Sequence, residues 1–215
     1  MMGKLNRKAI GMTALVVFLL LVTGVLRLVN SENYLINIAC GPLIFAIYIS
    51  MLSIWSISIW RRMMHSHIRG YLLGIAGLML FWIFVRTLKY FPFNNIEPVN
   101  RWLWYCYYIS MILIPLLSFF AALCLGKSEN WRPRRRYNLL YIPAVILIFG
   151  ILTNDLHQLA FAFPLGIENW DSRYTYHILY YLAVLWIAGF FLAVIWLLFK
   201  KSYIPYTKKW VWMPL

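Results

Sequence analysis

Residues Phe149 to Phe161, FGILTNDLHQLAF, place Thr153, Asn154, Asp155, His157 and Gln158 almost back to back inside a long apolar run. A hydroxyl, two carboxamides, a carboxylate and an imidazole lie within one short stretch. They could hold a polar ligand, confer pH sensitivity through His157 or contribute to a metal site. On a continuous helix advancing ~100° per residue, with Thr153 at zero, His157 falls near 40°, Asn154 near 100°, Gln158 near 140° and Asp155 near 200°. Phe149, Leu152, Leu156, Leu159 and Ala160 fall between about 240° and 340°. One half of such a helix is apolar and the other holds every polar group. Gly150 lies near 60°, where a neighbouring helix could approach closely. Asp155 and His157 are about 160° apart and could not share a metal without help. No HExxH, no CxxC and no Gly-Ser nucleophile motif accompanies them, and Cys40, Cys106 and Cys124 have no metal-site spacing. Ser110 and Ser118 lack a paired base, and no two-carboxylate pair is available. The residues therefore point to binding rather than catalysis, with neither metal nor cofactor.

The setting of this stretch follows from composition. The chain is 63% hydrophobic and 12% charged, where a soluble domain carries roughly a quarter charged residues. Several apolar runs reach the ~20 residues that cross a bilayer as a helix. The expected fold is an all-α, polytopic transmembrane bundle. Six spans are expected near 9–29, 36–60, 70–91, 102–125, 137–161 and 176–199, with the start of a seventh in the final KKSYIPYTKKWVWMPL. Residues 1–215 read as a single transmembrane unit, expected to be a fragment of a longer protein. The net charge of +14 would suggest nucleic acid in a soluble protein. Here its placement matters more, and no nucleic-acid partner is expected. Fifteen of the 20 Lys and Arg residues lie in the N-terminal segment, the 61–69 loop, the 127–136 loop and the segment after residue 199. The alternate connections balance to zero. Lys and Arg gather on the cytoplasmic side, so the N-terminus is expected to be cytoplasmic. The expected location is the cell membrane, multi-pass, in contact with membrane lipids.

A polar group left bare in hydrocarbon costs several kcal/mol, so the polar half of span five must face the bundle or a wet cavity. Span three runs in the same direction and carries Trp82, Arg86, Lys89 and Tyr90 at spacings of 4, 7 and 8, on one face. Arg27 sits at the outer end of span one. These cations and Asp155 are expected at similar depth. The expectation is an outward-open pocket lined by spans one, three and five, with an Arg86–Asp155 ion pair. Its ligand-binding residues would be Trp82, Arg86, Tyr90, Thr153, Asn154, Asp155 and His157. Snorkelling of the cations to headgroups and helix-to-helix hydrogen bonding are the purely structural readings of the same residues.

The Thr153, Asn154 and His157 triplet within ILTNDLHQLAF resembles the Thr-Asn-x-x-His signature of the seven-helix membrane region at the N-terminus of bacterial sensor histidine kinases and related signalling proteins. The apolar lead-in, the aromatic after the histidine and the array of helices with short loops are similar too. The resemblance implies a sensory input module in a bacterial plasma membrane, serving a two-component system. A cytoplasmic signalling domain would follow the membrane region, and the outward-open pocket expected above would admit a small ligand from outside. The resemblance allows a homodimer, and any kinase activity would reside in that further domain. With the N-terminus inside, a seventh span would end outside, so an eighth span or a different count would be needed to reach the cytoplasm. A small-solute transporter is the alternative, since Pro115 and Pro143 interrupt spans four and five. No paired halves accompany them.

Overall fold

The computed structural model describes residues 16–25, 34–63, 65–90, 96–128, 131–163 and 174–201. The regular structure among these residues is helical, apart from one minimal pair of strands, with short turns and irregular segments between the helices. The helices are α1 (Val16–Val25), α2 (Tyr34–Arg62), α3 (Ser66–Tyr90) and α4 (Val99–Cys124). A 3-10 turn over Arg135–Leu140 leads into α5 (Tyr141–Leu152), followed by the single-turn α6 (Asn154–His157) and α7 (Ile178–Lys201). Among the described residues five helices are long and apolar enough to cross a membrane, counting the 3-10 turn and α5 as one. Four of them match expected spans two, three, four and six to within a few residues, and Arg135–Leu152 covers only the first part of the expected 137–161. α1 is a shorter apolar piece of the expected first span. Arg27 and the start of a seventh span lie outside the described residues.

α4 is the central helix. It packs against α3 on one side and against α5 and α7 on the other, while α2 packs on α3. Its buried Tyr105, Tyr108, Ile112, Leu116 and Phe120 recur at spacings of three and four, the stripe by which a helix meets its neighbours. Ser110, 1% exposed, donates to Leu78 O at 2.8 Å and ties α4 to α3. Polar side chains often join helices in this way where water is absent. Pro115 removes one donor from the α4 ladder, and nearby Trp186 of α7 donates to Ile112 O at 3.2 Å. Tyr48 of α2 donates to the buried Thr23 of α1 at 3.4 Å.

The fifth span departs from the expected continuous helix over 137–161. α5 ends at Leu152, and Thr153 leaves helical geometry at φ −94°, ψ 14°. Gln158 then turns left-handed at φ 51°, a conformation few side chains adopt. Phe161–Ala162 (β1) pairs antiparallel with Thr175–Tyr176 (β2), Phe161 opposite Tyr176. The helix ends because Thr and Asn side chains offer the backbone alternative hydrogen bonds. The helical-wheel separation of polar and apolar halves therefore holds only as far as Leu152. Gly150, on the intact part, does receive a neighbour: a Cβ there would lie 2.7 Å from Leu179 Cδ2 of α7.

Candidate functional site

The Thr153–His157 segment folds into a closed knot of hydrogen bonds. Asn154 is fully buried at its centre. Its Oδ1 accepts from Ala160 N at 2.8 Å and Phe161 N at 3.0 Å. Its Nδ2 donates to Phe161 O at 2.8 Å and to Tyr105 Oη at 3.2 Å. Two donor protons and two acceptor sites are all that a carboxamide offers, so Asn154 has nothing left for a ligand. Gln158 N also donates to Asn154 O at 2.7 Å, closing α6.

Thr153 and His157 brace the same loop. The Thr153 hydroxyl donates to Phe149 O at 2.8 Å, and His157 Nδ1 accepts from Leu159 N at 3.0 Å. His157 Nε2 lies 3.3 Å from Thr153 Oγ1. With Nδ1 accepting, the neutral ring carries its proton on Nε2, suited to donate to that oxygen. The loop then delivers Leu159 O to Leu179 N and Ala160 O to His177 N, both at 3.0 Å. These bonds satisfy backbone donors where α7 begins, where a helix otherwise leaves N–H groups unpaired. Around the knot, Phe161 is fully buried amid the rings of Trp104, Tyr105, Tyr108, Tyr174 and Tyr180 at 4.5 to 6.2 Å.

Asp155 points to the rim of this assembly. It accepts from Tyr105 Oη at 2.7 Å, and its Oδ1 lies 3.2 Å from Arg101 Nε. The Arg101 contact is one of charge rather than an aligned hydrogen bond, since Nε makes none. The Arg101 guanidinium also lies 5.0 Å from the centre of the Phe163 ring. The expected Arg86–Asp155 ion pair is therefore not formed: Asp155 pairs with Arg101 of α4. The expected pocket between spans three and five is likewise divided by α4. Tyr105, which meets Asp155, and Tyr107, which meets α3, are about 200° apart around that helix.

Trp82, Arg86 and Tyr90 form the second group, on the other side of α4. The Arg86 guanidinium lies 5.9 Å from the Trp82 ring and 5.7 Å from the Tyr90 ring. Trp82 meets Tyr107 edge-on at 6.2 Å. Trp82 Nε1 and Tyr107 Oη are buried with no hydrogen-bond partner among the described residues, which is uncommon for such groups. Two unused donors beside a guanidinium can receive an anion or a carbonyl oxygen. Sequence reasoning missed Arg101, Tyr105, Tyr107 and Phe161. Arg101 and Tyr105 are four apart and share a helix face. That spacing was available as a signal, but the aromatic run WLWYCYY reads equally well as a membrane-interface belt.

A model of the N-terminal 7TM region of histidine kinase matches residues 42–213. The chain belongs to this family. The match begins within α2 and includes both polar groups, so the knot and the Trp82–Arg86 face are parts of a histidine-kinase 7TM region in a multi-pass membrane protein. No curated protein and no solved structure matches the chain. Membership makes this chain a membrane sensory input region that implies a cytoplasmic signalling partner domain. Within this sensor region Thr153, Asn154 and His157 brace one loop, and Trp82 Nε1 and Tyr107 Oη stand apart as unused donors beside Arg86.

Proposed function

We propose that this sensor region, set in a bacterial plasma membrane, takes a small anionic or zwitterionic ligand from the outer side. The ligand meets Arg86, Trp82, Tyr90 and Tyr107 on the α3–α4 face and shifts the packing of α4 against α7. The carrying observation is the pair of buried, unpartnered donors, Trp82 Nε1 and Tyr107 Oη, next to the Arg86 guanidinium. A ligand moves such an equilibrium only by binding one packing better than the other, and unused donors give it that preference. The knot at Asn154 transmits the change without touching the ligand, because it joins α5, α4 and the start of α7. α7 then carries it toward Lys201, at the end of the bundle on whose side a signalling domain would lie. The chain itself is non-catalytic in this reading.

Orientation supports the same picture. The charge distribution supports an inside position for the Lys201 end of the bundle. The family match starts in α2, which by this count begins outside, and seven crossings from there would finish inside. Accessibility tests the proposal. With Cys40, Cys106 and Cys124 replaced by Ser, single cysteines at positions 82, 86 and 156 are exposed to a membrane-impermeant thiol reagent outside sealed vesicles. Positions 82 and 86 should react, and pre-labelling them should alter the output of a kinase domain joined after the chain. If position 86 reacts only after the vesicles are opened, the outward site does not exist.

A further inference from the structure

At the far end of the bundle from the Asn154 knot, we infer a binding site for one anionic phospholipid. Its headgroup would occupy a cationic bowl, with an acyl chain in the adjoining cleft between α5 and α7. The bowl, of about 430 Å³, is lined by Lys127, Trp131, Arg134, Arg136, Tyr137 and Lys201, and among the described residues no carboxylate lines it. The cleft, of about 670 Å³, is apolar and includes Phe119, Pro143, Ile146, Leu185, Gly189 and Phe190. Both fall within the roughly 300–1,000 Å³ of ligand sites.

The two spaces adjoin. Phe119 lines the cleft, and its ring lies 6.4 Å from that of Tyr137, which lines the bowl. The cleft exists because α5 and α7 are pinned at one end and parted at the other. At Gly150 a Cβ would meet Leu179 at 2.7 Å, whereas a Cβ at Gly189 would meet nothing within 4 Å. Ile146 and Leu185 on its walls are 63% and 68% exposed, so it opens toward the surrounding hydrocarbon.

Charge in the bowl is arranged for an incoming anion. Lys201 Nζ donates to Ala122 O, Leu123 O and Leu125 O, each at 2.8 Å. An ammonium has three protons to give, so Lys201 closes the C-terminus of α4 rather than greeting a ligand. Arg134, Arg136 and Lys127 remain, with Arg136 over the Tyr137 ring at 5.5 Å and Lys127 over the Trp131 ring at 5.9 Å. The segment 127–136 also contains Glu129, which leaves it strongly positive with Lys127, Arg132, Arg134, Arg135 and Arg136. Basic recesses between membrane helices on the cytoplasmic side suit anionic headgroups. Inorganic phosphate would fill only the bowl, and a neutral hydrocarbon only the cleft. A phospholipid with an anionic head fills both.

The test uses the full chain in detergent with phosphatidylglycerol or phosphatidylcholine added, and counts retained lipid by native mass spectrometry. The wild-type chain should keep one phosphatidylglycerol and little phosphatidylcholine. R134Q/R136Q should lower phosphatidylglycerol retention roughly tenfold or more, as expected for two cations near an anionic surface. Gly189→Leu and Leu185→Trp fill the cleft and should lower it several-fold. Leu185 is exposed, so its variant decides the matter if Gly189→Leu does not fold. Equal retention of the two lipids overturns the inference. So does retention unchanged in R134Q/R136Q or in Leu185→Trp, or displacement by an equal concentration of inorganic phosphate.

Discussion

Two polar groups near the same end of the bundle, separated by α4, have opposite states of satisfaction. Around Asn154 every carboxamide donor and acceptor is used. Around Arg86, Trp82 Nε1 and Tyr107 Oη have no partner. The first group is dense in sequence, five polar residues within 153–158; the second is scattered over α3 and α4. Density in sequence therefore marks the fold here, and unmet hydrogen-bonding capacity marks the place where a ligand can add something. A half-satisfied buried polar group is costly, and it persists in a folded chain where binding can offset it.

The largest effect that follows is at Asn154. Asn154→Ala leaves two backbone N–H groups and one carbonyl without partners in a buried loop. It should destabilise the chain by about 3 kcal/mol or more, seen as a large drop in thermal stability in detergent. A loss below about 0.5 kcal/mol would remove the distinction between the two groups. Tyr105→Phe is next. It removes the hydroxyl that donates to Asp155 and accepts from Asn154, and should cost about 1–2 kcal/mol by the same measurement.

These two residues also show how far the sequence was legible. The apolar runs foretold α2, α3, α4 and α7 to within a few residues, because a membrane helix needs only length and hydrophobicity. Thr153, Asn154 and His157 were visible as a motif, and their chemistry as polar. Their purpose was not visible, because the wheel assumed a helix that Thr153 and Asn154 themselves terminate. Tyr105 was invisible as a partner of Asn154 for a different reason. The two are far apart in sequence, and Tyr105 sits in a run of aromatics any membrane boundary would explain. The Arg86–Asp155 expectation failed on packing order: depth along each helix is readable from sequence, but which helix stands between two others is not.

A smaller effect separates the ion pair from the knot it borders. The Arg101 and Asp155 side chains are 25% and 35% exposed, and pairs at that exposure contribute about 0.2–1 kcal/mol. Arg101→Gln should destabilise by no more than that. A double-mutant cycle with Asp155→Asn should give a coupling in the same range. The cycle pairing Arg86→Gln with Asp155→Asn should give none, since α4 stands between them. A coupling above about 0.5 kcal/mol in the second cycle would rejoin the two groups into one pocket.

The smallest change in stability is expected at Trp82, and it separates a site from a scaffold most sharply. Trp82→Phe keeps an aromatic ring beside Tyr107 and Arg86 but deletes the indole N–H. If that N–H were part of the fold, its loss would cost about 1 kcal/mol, as a typical hydrogen bond does. It has no partner, so its removal should leave stability unchanged within about 0.5 kcal/mol, or raise it slightly by removing an unmet donor. Tyr107→Phe should behave alike, in contrast to Tyr105→Phe two positions away on the same helix. The pair of tyrosines is a direct comparison: one hydroxyl is tied into the knot, the other makes no hydrogen bond among the described residues. Equal losses from both would mean that Tyr107 has a structural partner after all, and the α3–α4 face would then be packing of the same kind as the knot.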